Sequence, residues 1–345
     1  MVSFPLTDDQ QHQEMTNHMS HSFTNPPEVL TFGEAMTMFV ADSPGKLSDV
    51  EHFQRRIAGA DTNVAIGLAR LGFHVGWLSR VGSDSFGDFI RNTLENEGLD
   101  CRHLHTDTQH PTGLLFKERA LGGADPKVEY FRRGSAASHL SPQDASDIDF
   151  GALRHVHATG IPPALSASAR ELAHHTLKEA RAKGASISFD PNLRPSLWAS
   201  EADMRETLNA LAMLSDWVLP GLSEGQLLTG QKTPYDVAGY YLDQGASAVI
   251  IKLGPEGSYY RGNLGGQEES FTVDGCHVAD VVDTVGAGDG FAVGVISALL
   301  DGCSARQAAQ RGNLIGAQAI QVVGDMEGLP NRQQLQALET DQPTA

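Results

Sequence analysis

Apolar positions along the chain fall into short runs separated by longer amphipathic stretches. Val29-Leu30-Thr31-Phe32 is such a run, ends at Gly33-Glu34, and residues 35–40 extend it. After Gly59-Ala60-Asp61-Thr62-Asn63 the apolar spacing turns helical through Leu71 and stops at Gly72. Residues 74–79 read as a strand and residues 85–97 as an amphipathic helix closed by Gly98. The alternation resumes later, with strands at 155–159, 185–189, 217–219 and 248–251. Helices are predicted between them at 166–183, 201–214 and 235–244. Apolar strands alternating with helices predict an α/β fold, its mostly parallel sheet covered on both faces.

The middle of the chain breaks this rhythm. Residues 112–119 alternate like a strand, 121–127 form a turn-rich link, and 128–133 read as a second strand. A hairpin inserted in an α/β chain has exposed edges unless it packs on something. It is expected to form a small sheet with residues 34–56 and to stand off the main domain as a lid. Tyr130, Arg132 and Arg133 give that lid an aromatic and basic strand. Residues 1–27, rich in Gln, His, Ser and Asn and ending in Pro26-Pro27, read as a disordered tail. Residues 28–333 are then one domain, and 334–345 a frayed end.

Composition narrows the function classes. Hydrophobic residues are 40% and charged residues 20% of 345, as in ordinary globular proteins, but the net charge is −18. Nucleic acid and anionic membrane surfaces want a basic face, so neither is expected as a partner. An anionic substrate would need locally placed Arg or Lys. No apolar run approaches the roughly 20 residues of a membrane span. No Lys or Arg precedes Lys46, so the basic start of a secretion signal is missing. Cys101, Cys276 and Cys303 are far apart and read as free thiols, which suits a reducing cytoplasm. His155/His157 and His174/His175 lack the spacing of a helical metal pair and read as surface and strand histidines.

The stretch richest in chemistry is Asp283-Thr284-Val285-Gly286-Ala287-Gly288-Asp289-Gly290-Phe291, which opens an apolar run reaching Leu300. Alternate glycines leave bare amides at a helix N-terminus, where orphan N–H groups and the helix dipole attract anions. Asp289 in their midst is out of place for simple phosphate holding. It makes sense as a base that takes a proton from a hydroxyl while the amides stabilise a phosphoryl group in transit. The stretch is neither G-x-x-x-x-G-K-[ST] nor G-x-G-x-x-G, so P-loop and early dinucleotide-binding readings do not apply.

These residues resemble the C-terminal signature of the ribokinase-like (PfkB) family of carbohydrate kinases. Gly59-Ala60-Asp61-Thr62-Asn63-Val64-Ala65 is similar to its N-terminal signature. The resemblance implies a ribokinase-like three-layer sandwich with a small β lid over the sugar. It implies Asp289 as base and Gly286, Ala287 and Gly288 as the anion hole. Gly59, Ala60 and Asn63 would touch the sugar; Lys252, Gly254 and Gly257 would line the ATP cleft, with Asn313 against the adenine and Asn192 nearby. Asp283 and the Val285 carbonyl match places where relatives bind a monovalent cation such as K⁺. The family often has N-x-x-E where this chain has Gly221-Leu222-Ser223-Glu224; Glu224 is present to hold Mg²⁺ through water, and the Asn is not.

Residues 130–138 (Tyr-Phe-Arg-Arg-Gly-Ser-Ala-Ala-Ser) and Phe189-Asp190-Pro191-Asn192-Leu193-Arg194-Pro195 resemble segments of the 2-keto-3-deoxygluconate kinase branch of that family. A guanidinium holds a carboxylate by two parallel hydrogen bonds, so Arg132 with Tyr130 beside it suits a sugar acid. Arg194 would reach sugar oxygens or ATP phosphates. The implied reaction is ATP-dependent phosphorylation of 2-dehydro-3-deoxy-D-gluconate at its 6-hydroxyl. Alternatives are a kinase for fructose, an inositol-pathway keto acid or a nucleoside, a non-catalytic sugar-acid or nucleotide sensor, and more distantly a dehydrogenase. Exposed lid edges suggest a homo-oligomer formed through the lid.

Overall fold

Strand β1 (Val29–Phe32) is buried along its whole length, which is why its sequence runs apolar without alternation. In the computed structural model, which describes residues 23–119, 126–278, 280–282 and 284–340, β1 lies inside a nine-stranded sheet. The order is β13-β12-β11-β10-β9-β8-β1-β4-β5. The other strands are β4 (Val75–Gly82), β5 (Leu104–Asp107), β8 (His155–Thr159), β9 (Ser186–Asp190), β10 (Trp217–Val218), β11 (Ala248–Lys252), β12 (Ser258–Gly262) and β13 (Glu269–Val273). Pairing is parallel from β5 to β11, and β12 and β13 add an antiparallel edge.

Two apolar cores flank this sheet. Val29, Val75 and Ile250 join Val64 and Leu68 of the helix Ala60–Arg70 and Val293 and Ile296 of the helix Ala287–Leu300. Leu30, Val156 and Ile187 join Leu172, Leu208 and Val237 from helices on the opposite side. Successive side chains of a strand point to opposite faces, so one strand feeds both cores. The three layers are therefore helices, sheet, helices, as expected from the sequence.

The lid is a four-stranded sheet ordered β3-β2-β6-β7, with β2 (Met36–Ala41), β3 (Phe53–Ala58), β6 (Leu114–Lys117) and β7 (Val128–Phe131). Its inner face carries a small cluster of Met36, Met38, Val40, Ala58 and Leu115. Residues 35–40 are thus not an extension of β1 but a separate lid strand entered after Gly33-Glu34. The link at 120–125 and most of the expected tail lie outside the described residues.

Two further readings change. The stretch expected to fray from 334 begins instead as the helix Arg332–Thr340, anchored by the buried Leu335 and by Arg332 Nε donating to the Leu71 carbonyl at 2.8 Å. His155 and His157 are strand residues but wholly buried, not surface ones. They form a polar seam: His155 Nδ1 meets Ser186 Oγ at 2.8 Å, and His155 Nε2 and His157 Nδ1 meet Ser188 Oγ at 2.8 and 2.7 Å. Burial pushes both imidazoles below the usual histidine range, so they are neutral.

Candidate active site

The C-terminal ends of β1, β8, β9 and β11 converge with two helix N-termini, the place where open α/β sheets bind ligands. Gly286 is the N-cap of the helix Ala287–Leu300, with φ 86°. A β-carbon there would lie 2.3 Å from the Asp325 carbonyl oxygen, so the left-handed turn requires glycine. The first intrahelical bond is Gly290 N to Gly286 O, leaving the Ala287 and Gly288 amides without intrahelical partners. Asp289 follows in the first turn and is buried.

Asp289 is held by two amides. Asn63 Nδ2 donates to its Oδ2 at 2.8 Å and Asn192 Nδ2 approaches Oδ1 at 3.4 Å. Asn63 comes from the helix Ala60–Arg70, whose N-cap Gly59 has φ 150° and sits against the Glu34 carbonyl, 2.4 Å from where a β-carbon would be. Asn192, with φ 41°, occupies a backbone region asparagine tolerates but most residues avoid. Burial raises the Asp289 pKa to about 7; Asn63 opposes this, and the Asp190 and Asp325 carboxylates add to it. A carboxyl poised there can accept a proton near neutrality.

Lys252, at the end of β11, donates from Nζ to Asp190 Oδ2 at 2.5 Å. Its ammonium also lies 3.5 Å from the place of a β-carbon on Gly288. Burial alone would push it down, but Asp190, Glu224 and Asp289 together hold its pKa above the usual lysine value. The sequence assigned Lys252 to the ATP cleft. The structure puts its body on that cleft and its charge beside the Gly288 amide.

Gly254, Gly257, Asn313, Ala287 and Gly288 line the same cavity as Lys252, about 680 Å³ in volume, a size that suits a nucleotide. Asn313 Nδ2 is spent on the Val273 and Asp274 carbonyls at 3.2 and 3.0 Å, which leaves its oxygen to a ligand. Glu224 accepts the Leu193 amide at 2.8 Å and the Gly221 amide at 2.7 Å, fixing the loop that carries Asn192. Each of its oxygens keeps a second lone pair. Asn192 Oδ1 is buried and lacks a protein partner. Glu224 and Asn192 together are therefore suited to accept from metal-bound water. Among the described residues, no group of three or more His, Cys, Asp or Glu could hold a metal directly. Asp283 lies outside the described residues, and Val285 immediately precedes the Gly286 cap.

On the lid, Arg132 Nε donates to Glu34 Oε2 at 2.6 Å, and its Nη2 also faces that oxygen. Ser135 Oγ donates to the other Glu34 oxygen. Tyr130 stands 5.7 Å from the Arg132 guanidinium and is half exposed. The Nε edge of Arg132 is thus taken, and Nη1 is the side left for a ligand. Ala60 is buried behind Gly59, while Arg194 is exposed, donates to its own Leu193 carbonyl and lowers the Asp289 pKa by its charge.

From the sequence, Glu34 and Asp190 stand at strand ends where functional residues are expected to gather but carry no assigned role, and Asp61 is not singled out. Asp61 is buried, accepts from Thr159 Oγ1 at 3.2 Å, and is raised to about 8 by burial, with Asp289 adding to the rise. A carboxylate inside an otherwise small-residue signature was its only signal.

Residues 26–332 match the pfkB family carbohydrate kinase. The chain belongs to the pfkB family of carbohydrate kinases. The kinase is 51% identical over 318 residues to the 2-dehydro-3-deoxygluconokinase of Bacillus subtilis (strain 168), covering 92% of this chain and 97% of that one. A PfkB protein from Polaromonas sp. JS666 superimposes with a TM-score of 0.82 at 50% identity, over 90% of this kinase and 99% of that chain. An E. coli protein assigned as a ribokinase II and solved with ATP and Mg²⁺ superimposes with a TM-score of 0.81 at 28% identity, over 92% of the kinase and 100% of that chain. The fold is thus ribokinase-like. No helix among the described residues is long and apolar enough to cross a membrane.

Proposed function

We propose that this kinase transfers the γ-phosphoryl group of ATP to the 6-hydroxyl of 2-dehydro-3-deoxy-D-gluconate. The observation that carries the mechanism is Asp289, buried and pinned by Asn63 in the turn that also presents the Ala287 and Gly288 amides. Asp289 Oδ takes the hydroxyl proton. The amides, with the Lys252 ammonium beside Gly288, stabilise the phosphoryl charge in line with the attacking oxygen. Mg²⁺ would neutralise ATP phosphates, its water held by Glu224 and Asn192. Gly59, Ala60 and Asn63 would bound the sugar, and Gly254, Gly257 and Asn313 the nucleotide. Asp283 and the Val285 carbonyl are proposed to hold a monovalent cation, which turnover with K⁺ replaced by tetramethylammonium would check.

For the sugar acid, Arg132 is the proposed carboxylate partner through Nη1, oriented by Glu34 and flanked by Tyr130. Arg194 would reach sugar oxygens or phosphates. The name of the Bacillus subtilis relative supports this substrate. The test is an ADP-release assay over 2-dehydro-3-deoxygluconate, its galactonate epimer, fructose, 5-dehydro-2-deoxygluconate and a nucleoside. Highest kcat/KM on a neutral sugar would reject the carboxylate assignment, and ligand binding without ADP release would reject turnover.

The outer lid face carries Phe39, Phe53 and Phe131 around Phe116, at ring separations of 5.0, 5.5 and 5.7 Å, with Phe131 60% exposed. We propose it as the contact of a homo-oligomer; Phe131→Asp should lower the mass seen by light scattering. The three free cysteines fit a cytoplasmic protein.

A further inference from the structure

The segment around residues 323–327 joins two parts of the site that are remote in sequence. Val323 packs on the inner lid cluster of Met36, Met38, Val40, Ala58 and Leu115. Lys117, the last residue of β6, donates from Nζ to Asp325 Oδ1 at 2.9 Å, with its side chain only 3% exposed. Arg56 of β3 meets Glu327 Oε1 at 2.5 Å. Lys117 and Leu115 are two residues apart on one strand, and Arg56 registers opposite Met38, so all these groups share one lid face. On its other side the segment touches the catalytic turn, because the Asp325 carbonyl oxygen occupies the space where Gly286 could carry a β-carbon. One residue therefore meets the lid through its side chain and the helix cap through its backbone.

A buried ammonium is costly to desolvate, and an apolar residue of similar volume would often hold the lid as well. The apolar cluster already supplies adhesion. The charge adds a fixed distance and direction between Lys117 and Asp325, hence between the lid and Gly286. We propose that Lys117 is a positioning residue: seated on Asp325 with the lid down, it fixes residues 323–327 and, through the Asp325 backbone, the orientation of the Gly286 cap and the amides that follow. The lid would then report its closure to the phosphoryl site. Arg56 and Glu327 brace the same segment at lower burial. The inference rests on the reading of the Ala287 and Gly288 amides as the anion hole.

The experiment compares Lys117→Met, the double variant Lys117→Met/Asp325→Leu, and Ala287→Pro, which deletes one amide hydrogen at a helix position where proline is tolerated. kcat, KM for both substrates, ADP affinity by calorimetry without sugar, and Tm are measured. Lys117→Met should lose about 10- to 100-fold in kcat, as for a small misplacement of a reacting group. Its ADP affinity should stay within about twofold. The double variant removes both charges of the pair and should regain Tm while remaining slow. Recovery of kcat together with Tm would make Lys117 purely structural and overturn the proposal, as would wild-type turnover in Lys117→Met. Full activity in Ala287→Pro would instead remove the anion-hole reading beneath it, whereas a slow Ala287→Pro beside a normal Lys117→Met would sink the positioning role of Lys117 alone.

Discussion

Replacing Asp289 by Asn removes a charge and keeps the shape. The carboxyl is buried, and its pKa rises from the ordinary 3.8 to about 7 in the folded protein. The folded state therefore binds this proton more tightly than the unfolded chain. The stability gained from it is fully present below about pH 4 and is lost as pH rises through about 7. At pH 8 the ionised carboxylate costs the fold up to about 4 kcal/mol, a large share of a typical total of 5–15 kcal/mol. Asn never ionises and still offers Asn63 an oxygen. Urea unfolding should show Asp289→Asn more stable than the parent by up to about 4 kcal/mol at pH 8 and by less than about 2 kcal/mol at pH 5. The same variant should lose at least about 10²-fold in kcat, the usual worth of a general base. A stability gap that does not change with pH would refute the burial argument. Turnover within about tenfold of the parent would refute the role as base.

Further outcomes follow from single contacts. Lys252→Met should leave Asp190 buried without its partner at 2.5 Å, costing about 3–5 kcal/mol by urea unfolding and lowering kcat. Gly286→Ala places a β-carbon against Asp325 at positive φ and should cost at least about 1–2 kcal/mol, with kcat falling more than either KM. Glu34→Gln weakens the hold on Arg132, so KM for the sugar acid should rise while KM for ATP stays level in initial-rate kinetics. Between pH 8 and pH 6, kcat/KM of the parent should drop about tenfold as Asp289 takes up its proton, and a flat profile would contradict its pKa of about 7.

Much of the fold was readable because parallel strands buried on both faces appear as unbroken apolar runs, as in Val29–Phe32 and Ala248–Lys252. The edge hairpin β12–β13 escaped because Ser258–Gly262 mixes serine, tyrosine and arginine and signals neither core nor helix. The helix Arg332–Thr340 escaped because a single fully buried leucine, Leu335, anchors it. Within the site, Asp289 and Gly286 announced themselves locally, since an anion-binding turn and its base are adjacent in sequence. Lys117–Asp325 and Glu34–Arg132 did not, being 208 and 98 residues apart. Lys252 was legible as a strand-end residue, but its ion pair with Asp190 joins two strands on either side of β10, an arrangement no local pattern specifies. The seam of His155 and His157 looked like ordinary strand polarity because its serine partners sit on the next strand.

The lid is made from two separate excursions of the chain, residues 36–58 and 114–131, and they are joined where β2 pairs in parallel with β6. The first departs from the end of β1, third strand from the β5 edge of the main sheet, and returns straight into the Asn63 helix; the second carries Arg132 just beyond its end. Anyone grafting substrate preference from one relative to another must therefore exchange both pieces together. A single-cassette swap would set a foreign strand against a native one where β2 meets β6 and spoil the seam before any change in specificity could be read.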